Sequence, residues 1–533
     1  MKKLPLGIQN FREIVEKNHV YVDKTRFIYE LIANGKCYFL SRPRRFGKSL
    51  LLDTIAEVFK GSKELFEGLW IYDSDYEFAS YPVVKLDMSN FDTETPDIFK
   101  NCLNARLRKY LQREGINTYD DSPSGLLNDL IEGLHDKFGQ KIVVLIDEYD
   151  NPILDHVTEI GTADVIRNIL RIFYKTLKSA DPYIKFMFFT GVSKFTKTSV
   201  FSSLNNLTDI TMHEDYANIC GIPVDDLEAY FGDRIKSLAS LDHFKDHGDM
   251  RSLILTWYDG YSWDCKTKLL NPFGLLSFFS TKQIKSFWYA TGSPKFLIDL
   301  IKENPESVPK LQDLTICEAD MDAIDIQHMA ISPLLFQTGY LTVAKIVYPD
   351  VWPEYVLEIP NLEVRQAFFT QLTAGLTEQD HDFTSNVYRQ IRKALSTGDL
   401  QSILTVLRSL FAAIPNQLHV NKEAYYHSIF FSVMNVLGFD IDAEVSVSKG
   451  RIDATLELKD KVYVFEFKYQ ACAPDADESE KRKLFEKALK KGMKQITDRG
   501  YAGKYHGSGK TIYQAVFVFL GRDNTEMKSR ITR

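Results

Sequence analysis

Apolar residues in the N-terminal part of the chain gather into short unbroken runs instead of alternating with polar ones. The runs are Cys37–Ser41 ("CYFLS"), Ile142–Ile146 ("KIVVLID") and Phe186–Phe189 ("YIKFMFFTG"), and "YPVVKLDMSNF", interrupted at Lys85, is a further candidate strand. A strand with no polar face predicts burial on both sides, as in the interior of a parallel sheet. After the first run, "SLLLDTIAEVF" sets Leu51, Leu52, Ile55, Val58 and Phe59 at helical spacing, with Gly61 as its stop. The expected fold class is therefore α/β, a parallel sheet with flanking helices. Residues 221–330 read as helical and rich in aromatic side chains. "GYLTVAKIV" and "EYVLEIPN" then predict two strands around a Pro-containing loop, followed by the helix "LEVRQAFFTQL". Helices followed by such a hairpin suggest a winged-helix-like module. Nearer the C-terminus, "GRIDATLELKDKVYVFEFKYQ" predicts a hairpin turning at Lys459-Asp460.

The connection between the first run and its helix, "RPRRFGKS", nearly spells the phosphate-binding pattern G-x-x-x-x-G-K-[ST], with Arg42 where the first glycine belongs. Strand, loop and helix stand in the order such a loop needs, because orphan N–H groups at a helix mouth favour anions. In this P-loop reading Lys48 reaches the β- and γ-phosphates of ATP and Ser49 ligates Mg2+. Arg44, Arg45, Phe46 and Gly47 complete the cradle. Arg42, followed by Pro43, prefers an extended backbone where glycine permits a tight turn. Its charge, like those of Arg44 and Arg45, suits phosphate. ATP binding is expected, and hydrolysis is left open. The run Ile142–Ile146 ends in Asp147 and Glu148. That places Asp147 to hold the Mg2+ water shell and Glu148 to polarise an attacking water. Thr190, Ser193 and Lys194, after the next run, are candidate γ-phosphate sensors.

If the C-terminal hairpin has a two-residue loop, Leu458 pairs with Lys461 and Asp453 stands opposite Glu466. Lys468 follows on the same face, whereas Ile452, Ala454, Leu456, Tyr463, Phe465 and Phe467 form the other as a core. Two carboxylates facing each other beside Val462 and Val464 are costly to bury without a cation. Mg2+, or Mn2+ in its place, satisfies them, and Lys468 then activates water or stabilises a pentavalent phosphate. This is the layout of hydrolytic phosphodiester cleavage. Asp453 and Glu466 are thus candidate metal ligands and, with Lys468, candidate catalytic residues. "NKEAYYHSIFFSVMNVLG" sets Glu423 and His427 four apart on one helical face, with His427 read as a packing residue. "KRKLFEKALKKGMKQITDRGY" carries Lys483, Lys487, Lys490 and Lys494 in a stripe. The stripe reads equally as a solvated face, Glu486 partnering Lys490, and as a track for a nucleic-acid backbone.

"RPRRFGKSLLLDTI", "VVLIDEYDNPI" and "FFTGVSKFTKTSVFSSLNNLTDIT" resemble the bacterial AAA-ATPase-like family that is joined to a C-terminal PD-(D/E)xK nuclease-like domain. "WYDGYSWD", "NPFGLLSFF", "WYATGSPKFLIDLI" and "LLFQTGYLTV" match it too, so the resemblance spans nearly the whole chain. It implies that an Arg-Pro-Arg-Arg loop is the usual form, making Arg42 a family trait. It also implies an accessory acidic ligand at Glu423 and a catalytic Gln/Tyr element at Gln495 and Tyr501. The domains expected are an AAA-ATPase-like P-loop domain at 1–220, a helical lid and winged-helix-like region at 221–375, a helical connector at 376–414 and an α/β PD-(D/E)xK nuclease-like domain at 415–533. The hairpin module is expected to pack on the nucleotide domain in a regulatory role instead of reading DNA. The implied activity is ATP-controlled, Mg-dependent cleavage of nucleic acid, DNA before RNA. The alternative is a non-hydrolysing nucleotide switch whose nuclease-like domain only binds nucleic acid. Arg42 favours the second in the ATPase half; the complete set Asp453, Glu466 and Lys468 favours the first in the nuclease half.

Composition narrows this further. A chain of 533 residues exceeds one ordinary domain, and 44% hydrophobic with 26% charged content fits a soluble globular protein. A net charge of −7 excludes a globally basic nucleic-acid binder but not a local basic groove. No apolar stretch approaches a membrane span, and "MKKLPLGIQNF" lacks the apolar core of a signal peptide. Six scattered cysteines without a C-x-x-C pair argue for reduced thiols in the cytoplasm. Homo-oligomerisation is left open.

Overall fold

The computed structural model describes residues 1–194, 200–201, 204, 206–288, 314–321, 331–349, 351–414, 423–437, 441–447, 450–473, 476–498, 505, 508–520 and 524–532. At 246–247, 319–320, 381, 423–425, 427, 441–447 and 450–453 it describes main chain alone. The chain forms two compact units, Met1–Gly292 with Thr315–Asn361, and Ser293–Leu314 with Leu362–Arg533. No helix among the described residues is long and apolar enough to cross a membrane, and no disulfide joins the cysteines.

The first unit is built on a parallel sheet of five strands: β1 (Cys37–Ser41), β2 (Val83–Asp87), β3 (Ile142–Asp147), β4 (Ile184–Gly191) and β5 (Thr208–Asp209), in the order β2-β3-β4-β1-β5. Every residue of β1 and β3 is buried, as their unbroken apolar runs require. Helices Lys48–Phe59, Pro96–Glu114, Pro123–Phe138 and Ile160–Ser179 flank the sheet. The middle two begin at Thr95 and Ser122, whose hydroxyls accept from Ile98 N and Gly125 N as N-caps. The topology places β4 between β1 and β3, so the ends of three strands meet above the sheet's carboxyl edge, where such folds bind ligands.

A helical module follows. β6 (Ile222–Pro223) and β7 (Leu269–Leu270) pair, and helices Asp226–Ala239, Met250–Tyr258 and Pro272–Thr281 share a core containing Phe231, Tyr258, Phe278 and Phe279. β8 (Leu314–Cys317), β9 (Thr342–Val347) and β10 (Glu354–Glu358) form a second sheet in the order β8-β10-β9. β9 and β10 are the antiparallel hairpin read from "GYLTVAKIV" and "EYVLEIPN". The helix after it, Leu362–Thr377, belongs to the second unit. It packs there on the helix Glu423–Val436, with the Phe369 and Phe431 rings 5.8 Å apart, so the compact division falls inside the span 221–375.

The second unit holds a mixed sheet, β11 (Ile441–Val447), β12 (Gly450–Glu457), β13 (Lys461–Gln470), β14 (Thr511–Leu520) and β15 (Asn524–Thr532), in sequence order. β13 and β14 are parallel and the other pairs antiparallel. Leu458 N donates to Lys461 O at 2.7 Å, closing the two-residue turn, and the register runs from Glu457–Val462 to Ala454–Phe465. One face of β13 puts Tyr463, Phe465 and Phe467 into an aromatic core with Phe430 and Phe517. The opposite face packs Val462 and Val464 with Val516 and Val518 against Ala488 and Ile496 of the helix Glu478–Asp498. β13 is thus buried on both sides.

Phe430 is fully buried, its ring 5.0 Å from Phe465 and 4.8 Å from Phe467. Phe430→Ala should therefore destabilise the second unit by about 3–5 kcal/mol. Thermal unfolding followed by circular dichroism tests this, and an unchanged transition would contradict the packing.

Candidate functional site

β1 delivers the loop of residues 42–47 to the helix Lys48–Phe59. The left-handed turn is made at Arg45 (φ 66°) and Gly47 (φ 98°). Gly47 adopts it freely, Arg45 against Cβ crowding. Arg42 has another task. Its side chain is fully buried, with Nη1 donating to Ser41 O at 2.9 Å and Thr211 O at 2.8 Å. The guanidinium lies 4.0 Å over the Trp263 ring. Burial lowers its pKa to about 10, so it stays charged at neutral pH. The expectation that Arg42 offers charge to phosphate is corrected: that charge is committed to the interior. Phe46, expected in the cradle, turns its side chain inward. Its ring is buried between Tyr261 and Trp263, at 5.0 and 5.3 Å, and its carbonyl accepts from Gly221 N, which leaves no side-chain group for a nucleotide.

Lys48 Nζ donates to Arg42 O (3.0 Å) and Pro43 O (3.2 Å) and lies 3.3 Å from Glu148 Oε1. The loop lysine and the strand-end glutamate therefore meet directly. Asp147, 2% exposed, accepts from Glu148 N at 3.1 Å and from the Thr190 hydroxyl. Asp150 is fully buried and accepts from Val192 N and Ser193 N, at 3.1 and 2.6 Å, which ties the turn after β3 to the chain leaving β4. Of the proposed sensors, Thr190 stands against Asp147. Lys194 instead turns to Asp209 Oδ2 at 2.5 Å, and Ser193 is engaged through its backbone.

A cleft of about 600 Å³ opens over this end of the sheet, within the range of small-molecule sites. Its lining includes Arg44, Arg45, Gly47, Lys48 and Ser49 of the loop and helix mouth, Asp87 and Glu148 at the ends of β2 and β3, and Asn151 and Asp155 at the short helix that follows β3. Arg44 Nη2 donates to Asn151 Oδ1 at 3.4 Å, and the Arg45 guanidinium lies 5.2 Å over Phe273. Residues 5–9 and Pro272, Phe273 and Leu276 complete the lining. Sequence reasoning missed Asp87, although it ends a candidate strand as Asp147 does. It also missed residues 5–9, which carry no periodic signal. The Ser49 hydroxyl and the Asp147 carboxylate are oxygen donors of the kind Mg2+ takes; Ser49 is among the residues lining the cleft, whereas Asp147, 2% exposed, is not.

In the C-terminal unit Glu466 is fully buried on the Val462–Val464 face of β13, and its Oε1 lies 3.0 Å from Lys468 Nζ. Lys468 also donates to Phe467 O at 2.6 Å. The acid and the lysine two residues on therefore share a face, and the lysine already supplies one compensating charge. Asp453 is the β12 residue next to the pair Ala454–Phe465, and Glu423 opens the helix Glu423–Val436; both are described in main chain only. Gln495 is half-buried beside Ile496, and Tyr501 lies outside the described residues. Lys483, Lys487, Lys490 and Lys494 are exposed, and Glu486 pairs with Arg482 (3.5 Å) where Lys490 was expected. Among the described residues no group of three or more His, Cys, Asp or Glu side chains is placed to hold a metal ion.

Sheet order and loop define a P-loop protein with a second, nuclease-type sheet. Residues 5–201 match the family profile described as predicted AAA-ATPase, and residues 421–529 match the PD-(D/E)XK nuclease superfamily. Over 521 residues the chain is 35% identical to an uncharacterized protein in the vnfD 5' region of Azotobacter chroococcum mcd 1, spanning 96% of this chain and 95% of that one. The chain belongs to the AAA-ATPase-like family that carries a C-terminal PD-(D/E)XK nuclease-superfamily domain.

Burial, reinforced by the charge of Glu148, pushes the Asp150 carboxyl up to about 7, against 3.8 for an ordinary aspartate. It is protonated when folded and ionised when unfolded between these values, so it lowers stability as pH rises through that window. In metal-free buffer, the melting-temperature difference between Asp150→Asn and the unaltered chain should move in the variant's favour from about pH 4 to about pH 7. A difference independent of pH would show that the carboxyl is ionised in the fold.

Proposed function

We propose that the protein is a nucleotide-controlled, metal-dependent nuclease. ATP with Mg2+ occupies the cleft at Gly47, Lys48 and Ser49, and its state governs phosphodiester cleavage by the C-terminal domain, in DNA before RNA. The observation that carries this reading is the Lys48–Glu148 pair, 3.3 Å apart at the cleft. A phosphate group drawing Lys48 toward itself releases Glu148 to orient a water, the task of such a residue in P-loop hydrolysis. Ser49 and Asp147 would hold the Mg2+, which supplies charge neutralisation at the phosphates. Arg44 and Arg45, on the cleft wall, add fixed positive charge.

At the other end Asp453 and Glu466 would hold Mg2+ or Mn2+, which supplies an acidified water and a Lewis acid for the scissile phosphate. Lys468 stabilises the developing charge, with Glu423 and Gln495 as accessory groups and the exposed lysines as a backbone track. One observation favours the alternative of a domain that binds nucleic acid without cutting it. Glu466 and Lys468 already neutralise each other at 3.0 Å, so burial of that acid does not by itself demand a metal.

Mg-ATP at about 100 times its Kd should stabilise the unaltered chain by about 2.7 kcal/mol. Lys48→Ala should show no such gain, and equal stabilisation of both proteins would remove the site.

For the nuclease, purified chain is incubated with plasmid, linear and single-stranded substrates, with Mg2+ or Mn2+, with and without ATP. Cleavage should vanish in Asp453→Asn and Glu466→Gln. Lys468→Ala strands a buried carboxylate and should cost about 3–5 kcal/mol of stability. The double variant Glu466→Gln with Lys468→Met should regain that stability without regaining cleavage. Cleavage that persists in Glu466→Gln sinks the assignment.

A further inference from the structure

The loop residues Arg42, Pro43 and Arg44 are each gripped by segments distant in sequence. The Arg42 guanidinium stacks at 4.0 Å on Trp263. At Gly339 (φ 90°) a Cβ would stand 2.7 Å from both Cβ and Cγ of Pro43, so only glycine lets the two chains pass. Trp288 Nε1 donates to Arg44 O at 2.9 Å, and its ring meets Tyr340 at 5.4 Å. On the sensor side, Gln337 Oε1 accepts from Lys194 N at 2.7 Å while its Nε2 donates to Met321 O at 2.7 Å. Gln337, Gly339 and Tyr340 stand where the helix Ile331–Thr338 runs into β9. The same short stretch thus touches both the loop and the chain leaving β4.

We propose that residues 42–44 form a relay that positions the loop and passes its occupancy, through Trp263, Gly339 and Trp288, to the segment 331–358. The relay rests on the nucleotide reading of the cleft given above. Its input is Lys48, whose Nζ is bonded to Arg42 O and Pro43 O. A phosphate group that recruits this ammonium withdraws the donor from both carbonyls, and their peptide units must find new partners. A glycine-rich stretch has no side chains through which to hand such a change on. Arg42 and Pro43 do, because each is packed against a partner outside the five-stranded sheet, Trp263 before β7 and Gly339 before β9. In this account Arg42 and Trp288 are positioning residues, acting on phosphate through the loop backbone.

Hydrogen–deuterium exchange of the full chain with and without Mg-ATP tests the relay. In the unaltered protein Mg-ATP should change amide exchange in 331–347, outside the cleft, by about threefold or more. Trp288→Phe keeps the ring and loses the bond to Arg44. It should still bind Mg-ATP, weakened by no more than about fivefold, with the response in 331–347 lost. Arg42→Lys keeps the charge without the planar stack and should act the same way; if it fails to fold, Trp288→Phe alone decides. Binding without the response in the unaltered chain overturns the relay, as does a full response in the variants. Absence of Mg-ATP binding in the unaltered chain overturns the nucleotide reading, and the relay with it.

Discussion

A guanidinium with no exposed surface must find its compensation inside the protein, because stranding a charge away from water is among the most costly arrangements a fold can contain. At Arg42 the compensation comes from the carbonyls of Ser41 and Thr211 and from the face of Trp263. β1, the chain just after β5 and the turn before β7 therefore have to assemble around one side chain. That assembly sets the start of the loop. The left-handed turn then falls to Arg45 and Gly47, and the helix opens at Lys48, on the lining of the cleft.

The carboxylates at the two ends of the chain solve their own burial by different means. Asp147 and Asp150 are held by a hydroxyl and by main-chain amides, donors that fix geometry and add no net charge. Glu148 stays at the cleft and takes its partner, Lys48, from the loop, so any group that competes for that lysine alters both. Glu466 takes its cation from the same strand, two residues away, on a face otherwise given to valines. The first arrangement responds to a ligand, because its ion pair spans two elements. The second pairs two residues of one strand, β13, on the face that packs against the helix Glu478–Asp498.

Much of this was legible in the chain. The unbroken apolar runs, the helical spacing after Ser49 and the turn at Lys459-Asp460 are local patterns, and backbone periodicity alone converts them into strands, a helix and a hairpin register. Lys48, Ser49, Glu148, Arg44 and Arg45 could be grouped because a loop and a strand end of this composition have few other uses. The direction of the Arg42 side chain had no such signal. Its partner Thr211 lies 169 residues away, and burying a charge is decided by which acceptors the folded chain brings near. The same holds for Phe46, whose ring meets Tyr261 and Trp263, and for Lys194, whose ammonium meets Asp209. Residues 5–9, which also line the cleft, carry no periodicity that would mark them. The sequence by itself determined the elements and the chemistry they carry, because these depend on neighbours a few positions apart. Which charges face the cleft and which face the core was decided only by tertiary structure, because desolvation depends on what packs around a group, not on what precedes it in the chain.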